Sequence, residues 1–297
     1  MDAVTPDVAR IPASHASYPS RLHHLPDPPD ALYCRGNLRV LDAPCVTIVG
    51  SRRSTDYGRR VAGELARAAV RSGWTVVSGL AMGIDGAAHR GALEGGGATV
   101  AVLGAGPDRA HPRAHAPLMD ALLARGAVLS EYPPGVSPRK HHFPRRNRLL
   151  AALAHRVVVV EAAQRSGALI TAGVAAELGR EVWAVPASIY SPTARGPHGL
   201  LEDGASPVAS MDAWEASLRR RPPGVQGDGG DQLTLGPQGD AFQRRVWETL
   251  REEPVPLERI AQLLAVPVSA LLPALTALEL QGWVARGPGP VFHRRAA

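Results

Sequence analysis

The sequence predicts an α/β protein: an extended Rossmann-like, mainly parallel sheet followed by a small winged-helix-like domain. Three observations carry this expectation. Short apolar runs alternate with segments of helical spacing from Cys45 to Val185, the order that βαβ units impose. The four consecutive valines at 157–160 are the unbroken apolar run of a strand covered on both faces. From Asp240 the chain reads as three amphipathic helices and a hairpin. A chain of 297 residues can hold two such cores.

Taken in order, residues 1–43 are proline-rich and predict an extended cover packed on the main domain, with little periodic structure. The main domain, 44–218, opens with the strand VTIVG, which ends at Gly50. A helix over 56–73 follows, its inner face marked by Val61, Leu65, Ala68 and Ala69. Then come TVVSG as a strand, 84–94 as a helix, ATVAVLG as a strand and 114–125 as a helix. AVLSE, a cation-rich stretch with its helix, RVVVVE, a helix over 168–178 and EVWAV continue the alternation. After Val185 the pattern predicts loop until LLEDGASPVAS at 200–210 and a helix around Trp214. Residues 219–239 are rich in proline and glycine without an apolar period, which predicts a flexible linker. In the last domain, 240–297, Phe242, Val246 and Leu250 share one helix face, and Leu257, Ile260, Leu263 and Leu264 share the next. Ser269 is placed to cap a third helix carrying Leu271, Leu275 and Leu278, and WVARGPGPVFHRR forms the hairpin.

The formal net charge of +6 favours an acidic partner, nucleic acid above all. Because Lys140 is the only lysine, clusters of arginine carry more meaning than the total. The densest cluster is RKHHFPRRNR at 139–148, with five cations, two histidines, one phenylalanine and no acid, beside a helix start and a buried strand. Open α/β sheets bind phosphate at such places. Cys34 and Cys45 form no CxxC pair, so neither a disulfide scaffold nor a cysteine zinc site is expected. The start has no secretion-signal layout and no apolar run reaches the length of a membrane span, so a cytoplasmic protein with no membrane partner is expected.

GSRRS at 50–54 leaves the first strand where a dinucleotide fold keeps its glycine-rich turn, but GxGxxG is absent and no acid ends the second strand. A nicotinamide cofactor is therefore not expected. What remains is a turn whose N–H groups, Ser51 hydroxyl and Arg52 guanidinium suit phosphate oxygens. No glycine-lysine pair exists for a Walker A loop. Asp85 and His89 stand four apart on one helix face, where an acid-base or metal pair competes with capping and backbone roles; no full metal set accompanies them. Ser166 and Gly167 could form a further anion nest or simply cap a helix. The third helix of the last domain has no lysine or arginine over 269–281, which favours a partner-contact module over DNA reading.

The motifs YPSRL, PPDALYCRGNL, GSRR, SGLAMGIDGAAH, VAVLGAG, LSEYPPG, FPRRNRLLAAL, VVVVEAAQRSGALITAG, GREVWAVP and GLLEDGA occur in that order between Tyr18 and Ser210. Together they resemble the DprA/Smf family of DNA-processing proteins. The resemblance implies a homodimer without enzymatic activity, cofactor or metal, which binds single-stranded DNA and helps load the RecA recombinase during transformation, with single-strand-binding protein as a further partner. By matching position it implies a strand-binding pocket made of Gly50, Ser51 and Arg52, of Lys140 and Phe143, and of Arg146, Asn147 and Arg148, with Ser166 and Gly167 at its margin. Three departures stand out: no room for the helical domain many members carry ahead of YPSRL, Ala187 where a glycine is expected, and Pro197–His198 in a loop usually rich in glycine and asparagine. The competing reading from the residues is a nucleotide-cleaving Rossmann enzyme of the phosphoribohydrolase kind using Asp85, His89 and Glu161. The absence of a PGGxGT motif weighs against it.

Overall fold

The computed structural model describes residues 8–222, 241–250, 255–264, 266–280, 284–287 and 289–294. The chain divides into two compact units, Met1–Gln226 and Gly227–Ala297. The expected linker lies outside the described residues from residue 223 on.

In the first unit the strands are β1 (Ala9–Pro12), β2 (Ala31–Gly36), β3 (Cys45–Val49), β4 (Thr75–Ser78), β5 (Thr99–Leu103), β6 (Ala127–Ser130), β7 (Arg156–Val159), β8 (Glu181–Ala184) and β9 (Ser206–Pro207). They form one sheet in the order β1-β2-β6-β5-β4-β3-β7-β8-β9. All neighbours from β6 to β9 run parallel, while β1 and β2 add antiparallel strands at the β6 edge. The chain thus builds outward from β3 through β6, then returns to the other side of β3 with β7. Between the carboxyl ends of β3 and β7 lies the point where the strand order reverses, the crevice at which sheets of this class take ligands.

The helices are α1 (Asp56–Arg71), α2 (Ile84–Glu94), α3 (Ala116–Leu123), α4 (His142–Leu153), α5 (Gly167–Glu177), α6 (Arg195–Glu202) and α7 (Met211–Leu218). Strand residues alternate between faces, as a period of two requires. Val46, Ile48, Val76, Val158 and Val160 pack against α1, α2 and α7. Val100, Val102, Leu129, Val157 and Val159 pack against α4 and α5 on the opposite face. The α1–α2 crossing depends on Gly91: a Cβ there would lie 2.2 Å from the Gly63 carbonyl oxygen, so only glycine lets the backbones approach this closely.

At the amino ends of the strands, Arg156 is almost wholly buried. Its guanidinium lies 4.8–5.5 Å from the ring centroids of Trp74, Trp183 and Trp214, and it pairs with Glu181 at 2.7 Å. It also donates to the Ser217 hydroxyl at 2.9 Å, while Trp74 Nε1 donates to the Leu218 carbonyl and Trp214 Nε1 to that of Leu65. These bonds fasten α7 to the sheet.

Three segments differ from the sequence expectation. The proline-rich start contributes β1 and β2 and sends Tyr18, Leu22, Leu25 and Leu32 into the core. Pro12 is tolerated because β1 is an edge strand. The cation-rich stretch is mostly helix, since α4 begins at His142. Pro197 and His198 lie in α6, in a region expected to be loop; Pro197 is the third helical residue, where a missing N–H costs little.

The second unit contains α8 (Ala241–Thr249), β10 (Val255–Pro256), α9 (Leu257–Leu264), α10 (Val268–Leu280), β11 (Val284–Arg286) and β12 (Val291–Arg294), with sheet order β10-β12-β11. Val246, Leu250, Ile260, Leu271, Leu275 and Leu278 close its core, with Phe242 and Leu264 packed against it. Leu263, expected on that inner face, is exposed. Helix α10 starts one residue before Ser269, so Ser269 is helical and not the cap. Among the described residues no single helix is long and apolar enough to cross a membrane.

Candidate nucleic-acid interface

The turn after β3 is shaped by its neighbour across the sheet. The Ser51 N–H donates to the Glu161 carbonyl at 2.6 Å, and the Ser51 hydroxyl accepts from the Arg53 N–H at 3.1 Å. Below the turn, Thr55 caps α1 by accepting from the Gly58 N–H. Its own N–H and hydroxyl donate to the buried Glu161 carboxylate at 2.9 and 2.5 Å. Glu161 thus bolts the end of β7 to the start of α1, a structural task that engages both carboxylate oxygens. The backbone fixed this way leaves the Arg52 side chain in solvent.

Arg52 extends over Phe143 of α4, its guanidinium carbon 4.8 Å from the ring centroid. The His111 ring, from the loop after β5, lies 5.8 Å from the same ring at a tilt of 34°. Burial and the nearby Arg52 charge push the His111 pKa down. His111 carried no sequence signal beyond a histidine in a polar loop, and only the fold brings it to Phe143. Position 143 is fixed from beneath: His142 stacks on Tyr132 with centroids 3.9 Å apart and donates from Nδ1 to the Gly104 carbonyl at 3.0 Å. Lys140 is exposed in the turn that enters α4, where the His142 N–H donates to the Arg139 carbonyl. Arg52, Arg53, Arg139, Lys140 and Arg165 form no ion pair among the described residues.

The remaining expected contacts face elsewhere. Arg146 is 5% exposed. Its Nη1 donates to the Gly79 and Val102 carbonyls at 2.8 and 2.7 Å, and its Nε to Asn147 Oδ1 at 3.1 Å. A Cβ on Gly79 would lie 1.9 Å from Nη1, so the guanidinium rests flat on that glycine. Asn147 is buried too and donates from Nδ2 to the Gly167 carbonyl at 3.0 Å. Arg148 donates to the Asp27 carbonyl and to Glu131 Oε1, both at 2.6 Å, and its side chain is 13% exposed. Ser166 caps α5, its hydroxyl accepting from the Ala168 N–H, and Gly167 is the exposed first residue of that helix. The fold therefore brings Gly50, Ser51, Arg52, Phe143, Ser166 and Gly167 to the carboxyl edge of the sheet. Arg146 and Asn147 stand behind that edge as fastenings, and Arg148 is tied to Glu131.

The Asp85–His89 pair does not form. Asp85 accepts from the Gly79 and Ala81 N–H groups at 3.2 and 3.3 Å. Burial pushes its carboxyl up against the opposing pull of the Arg146 charge. Burial likewise brings Arg146 down to about 10, although the Asp85 charge opposes that change. His89 turns the other way, to the Thr99 hydroxyl at 2.7 Å; since that hydroxyl donates to the Val76 carbonyl, His89 Nδ1 is the donor. Burial holds its pKa down at about 3. No group of metal-binding side chains occurs among the described residues.

Residues 10–218 match the protein family described as DNA recombination-mediator protein A, and residues 234–290 match the DprA winged helix domain. The chain belongs to this family. It is 38% identical to protein Smf of Escherichia coli (strain K12), across 97% of this chain and 78% of that protein. It is 41% identical to the DNA processing protein DprA of Bacillus subtilis over 68% of each. Among solved structures, DNA processing protein A of Streptococcus pneumoniae superposes with a TM-score of 0.68 at 40% identity, covering 71% of this chain and 75% of that one. DNA processing protein A of Helicobacter pylori superposes with a TM-score of 0.66 at 29% identity, over 72% of this chain and 96% of that one. That structure is described as giving insight into a unique single-stranded DNA binding mode. The α/β fold with its winged-helix companion expected from the sequence is thus the fold of the family.

Proposed function

We propose that this protein binds single-stranded DNA, without sequence preference and without catalysis, at the carboxyl edge of its sheet. One observation carries the reading: the turn after β3 and the start of α4, far apart in sequence and each bearing cations unpaired among the described residues, meet where Arg52 lies over Phe143. An arginine beside an aromatic face suits a phosphate followed by an unpaired base, and every base has a face to stack. Gly50, Ser51, Arg52, Lys140 and Phe143 touch the strand, Ser166 and Gly167 border it, and Arg146, Asn147 and Arg148 hold the scaffold. In the free protein Arg52 covers one face of Phe143, so an arriving base exchanges places with the guanidinium, which then pairs with phosphate.

In this reading the strand is handed to the RecA recombinase, consistent with the family's description as a recombination mediator. The protein acts as a homodimer that meets single-strand-binding protein on the same DNA. The enzyme alternative is disfavoured because Asp85, His89 and Glu161 are each committed to hydrogen bonds of the fold.

The deciding experiment pairs Arg52→Ala with Lys140→Ala. The double variant should bind oligo-dT many-fold more weakly, and its log-affinity against log-salt slope should flatten by about 0.7 for each phosphate that is no longer neutralised. Both side chains are exposed, so folding should be intact; a folded double variant that binds as tightly as the parent refutes the site.

A further inference from the structure

We propose that the loop from β8 to α6 is a second base-stacking station for the same strand, with the Tyr190 ring as its platform. The proposal rests on the single-strand reading above and extends it along the sheet edge. Tyr190 is 90% exposed and Ile189 78%, the two most exposed large apolar side chains among the described residues. Core formation explains neither, and a protein with aromatic content of only 4% has placed one of its rings almost wholly in water.

The backbone that carries the ring is held by hydrogen bonds. The Ser191 N–H donates to the Ser188 carbonyl at 2.9 Å, the Tyr190 N–H to the Ser188 hydroxyl at 3.3 Å, and the Ala194 N–H to the Ser191 carbonyl at 3.1 Å. His198 Nε2 donates to the Ala187 carbonyl at 3.0 Å and closes the base of the loop. A loop whose backbone is already ordered lowers the ordering cost of binding.

The loop is also continuous with the first site. Ala162, directly after Glu161, donates to the Thr193 carbonyl at 2.8 Å and accepts from the Gly196 N–H at 2.9 Å. Glu161 in turn accepts from Ser51. Strand β8 lies two places from β3, which is roughly 10 Å at the usual strand spacing. Between the two stations stand Ser166, Gly167 and the exposed Arg165. The exposed Arg195 opens α6 at the end of the loop, and neither arginine has an ion pair among the described residues. Unpaired cations and an exposed ring carried by neighbouring loops suit the phosphates and bases of an unpaired strand.

The test uses the full chain with oligo-dT from about 4 to about 16 nucleotides, the span of single-strand grooves. Tyr190→Ala should leave the shortest strand bound as before and weaken the longest about 5- to 150-fold, the cost of one stacked base. Tyr190→Phe should restore binding, because the ring and not the hydroxyl stacks. A 5-iodouracil-substituted long strand should crosslink to the peptide containing Tyr190. If Tyr190→Ala binds every length like the parent while Arg52→Ala loses every length, the second station is refuted and the first stands. If Arg52→Ala also leaves binding unchanged, both fall. If Tyr190→Ala alters only the sedimenting mass, the loop is a protein contact and the proposal is overturned.

Discussion

At the proposed strand site three side chains meet: Arg52, Phe143 and His111. Truncating Phe143 removes the stacking face, and Phe143→Ala should weaken oligo-dT binding by about 1 to 3 kcal/mol, with Phe143→Tyr near the parent; fluorescence anisotropy with a labelled strand reads this directly. His111 adds a pH dependence whose sign follows from its surroundings. Its pKa is held down in the free protein by burial and by Arg52, the charged group facing it, so it is neutral at pH 7. A bound phosphate favours the imidazolium, so binding takes up a proton and affinity should rise as pH falls from 7 through the ordinary histidine range near 6.5. His111→Gln should remove that rise in titrations at constant salt. The sequence pointed to exposed cations at Arg52 and Lys140, and the structure does leave both in solvent, with Arg52 over Phe143. The burial of Arg146 and Asn147 was not legible, since nothing in FPRRNR distinguishes a guanidinium that meets DNA from one saturated by carbonyls inside the fold.

Among the elements, α4 decides the geometry. It enters the sheet edge through Lys140 and Phe143 and is anchored one turn later by Arg146, which bridges the carbonyls of Gly79 and Val102 beside the buried Asp85. Arg146→Ala strips the buried Gly79 and Val102 carbonyls of that donor, and leaving a buried polar group unsatisfied costs about 1–3 kcal/mol. Urea unfolding should show a loss of that size, and the variant should also bind DNA poorly because Phe143 shifts. Arg148→Ala removes a largely buried partner of Glu131 and should also lower the urea midpoint. The βαβ alternation of this unit was readable from period and composition, because its strands are short and covered on both faces. The start of α4 was not, since it carries buried polar residues where an apolar stripe is the usual sign. Strands β1 and β2 escaped notice among the prolines, which an edge strand accommodates without losing its pairing. Helix α6 was hidden by Gly196 and Pro197, both read as loop formers although each is admissible in a first turn.

At the scale of the molecule, stability and binding should respond to acid in opposite directions. His89 is fully buried and neutral, with its pKa near 3 when folded against about 6.5 when unfolded. The unfolded chain therefore takes up a proton that the folded chain refuses. His89 should remove about 1.4 kcal/mol of stability for each pH unit below roughly 6, down to the folded pKa. His155, brought down to about 4 chiefly by burial, adds to the same trend. Asp85, whose carboxyl is pushed up, acts with the opposite sign, since its protonation on acidification relieves a cost of folding. Denaturant midpoints between pH 7 and 5 should show a smaller decline for His89→Gln than for the parent, and an equal decline would remove His89 as the cause. Weaker folding under the same conditions in which His111 tightens DNA binding separates the two effects cleanly, one read by unfolding and the other by anisotropy.

The ring of indoles around Arg156 has a spectroscopic consequence. Three of the five tryptophans surround that one cation at the amino ends of the strands, away from the edge where Arg52 and Tyr190 lie. Intrinsic emission from the first unit therefore monitors whether α7 remains docked, and a strand seated at the opposite rim should leave its wavelength and intensity almost unmoved. Indole fluorescence is thus an internal gauge of folding that can be followed in the presence of ligand, and Arg156→Met should shift that signal while oligo-dT does not.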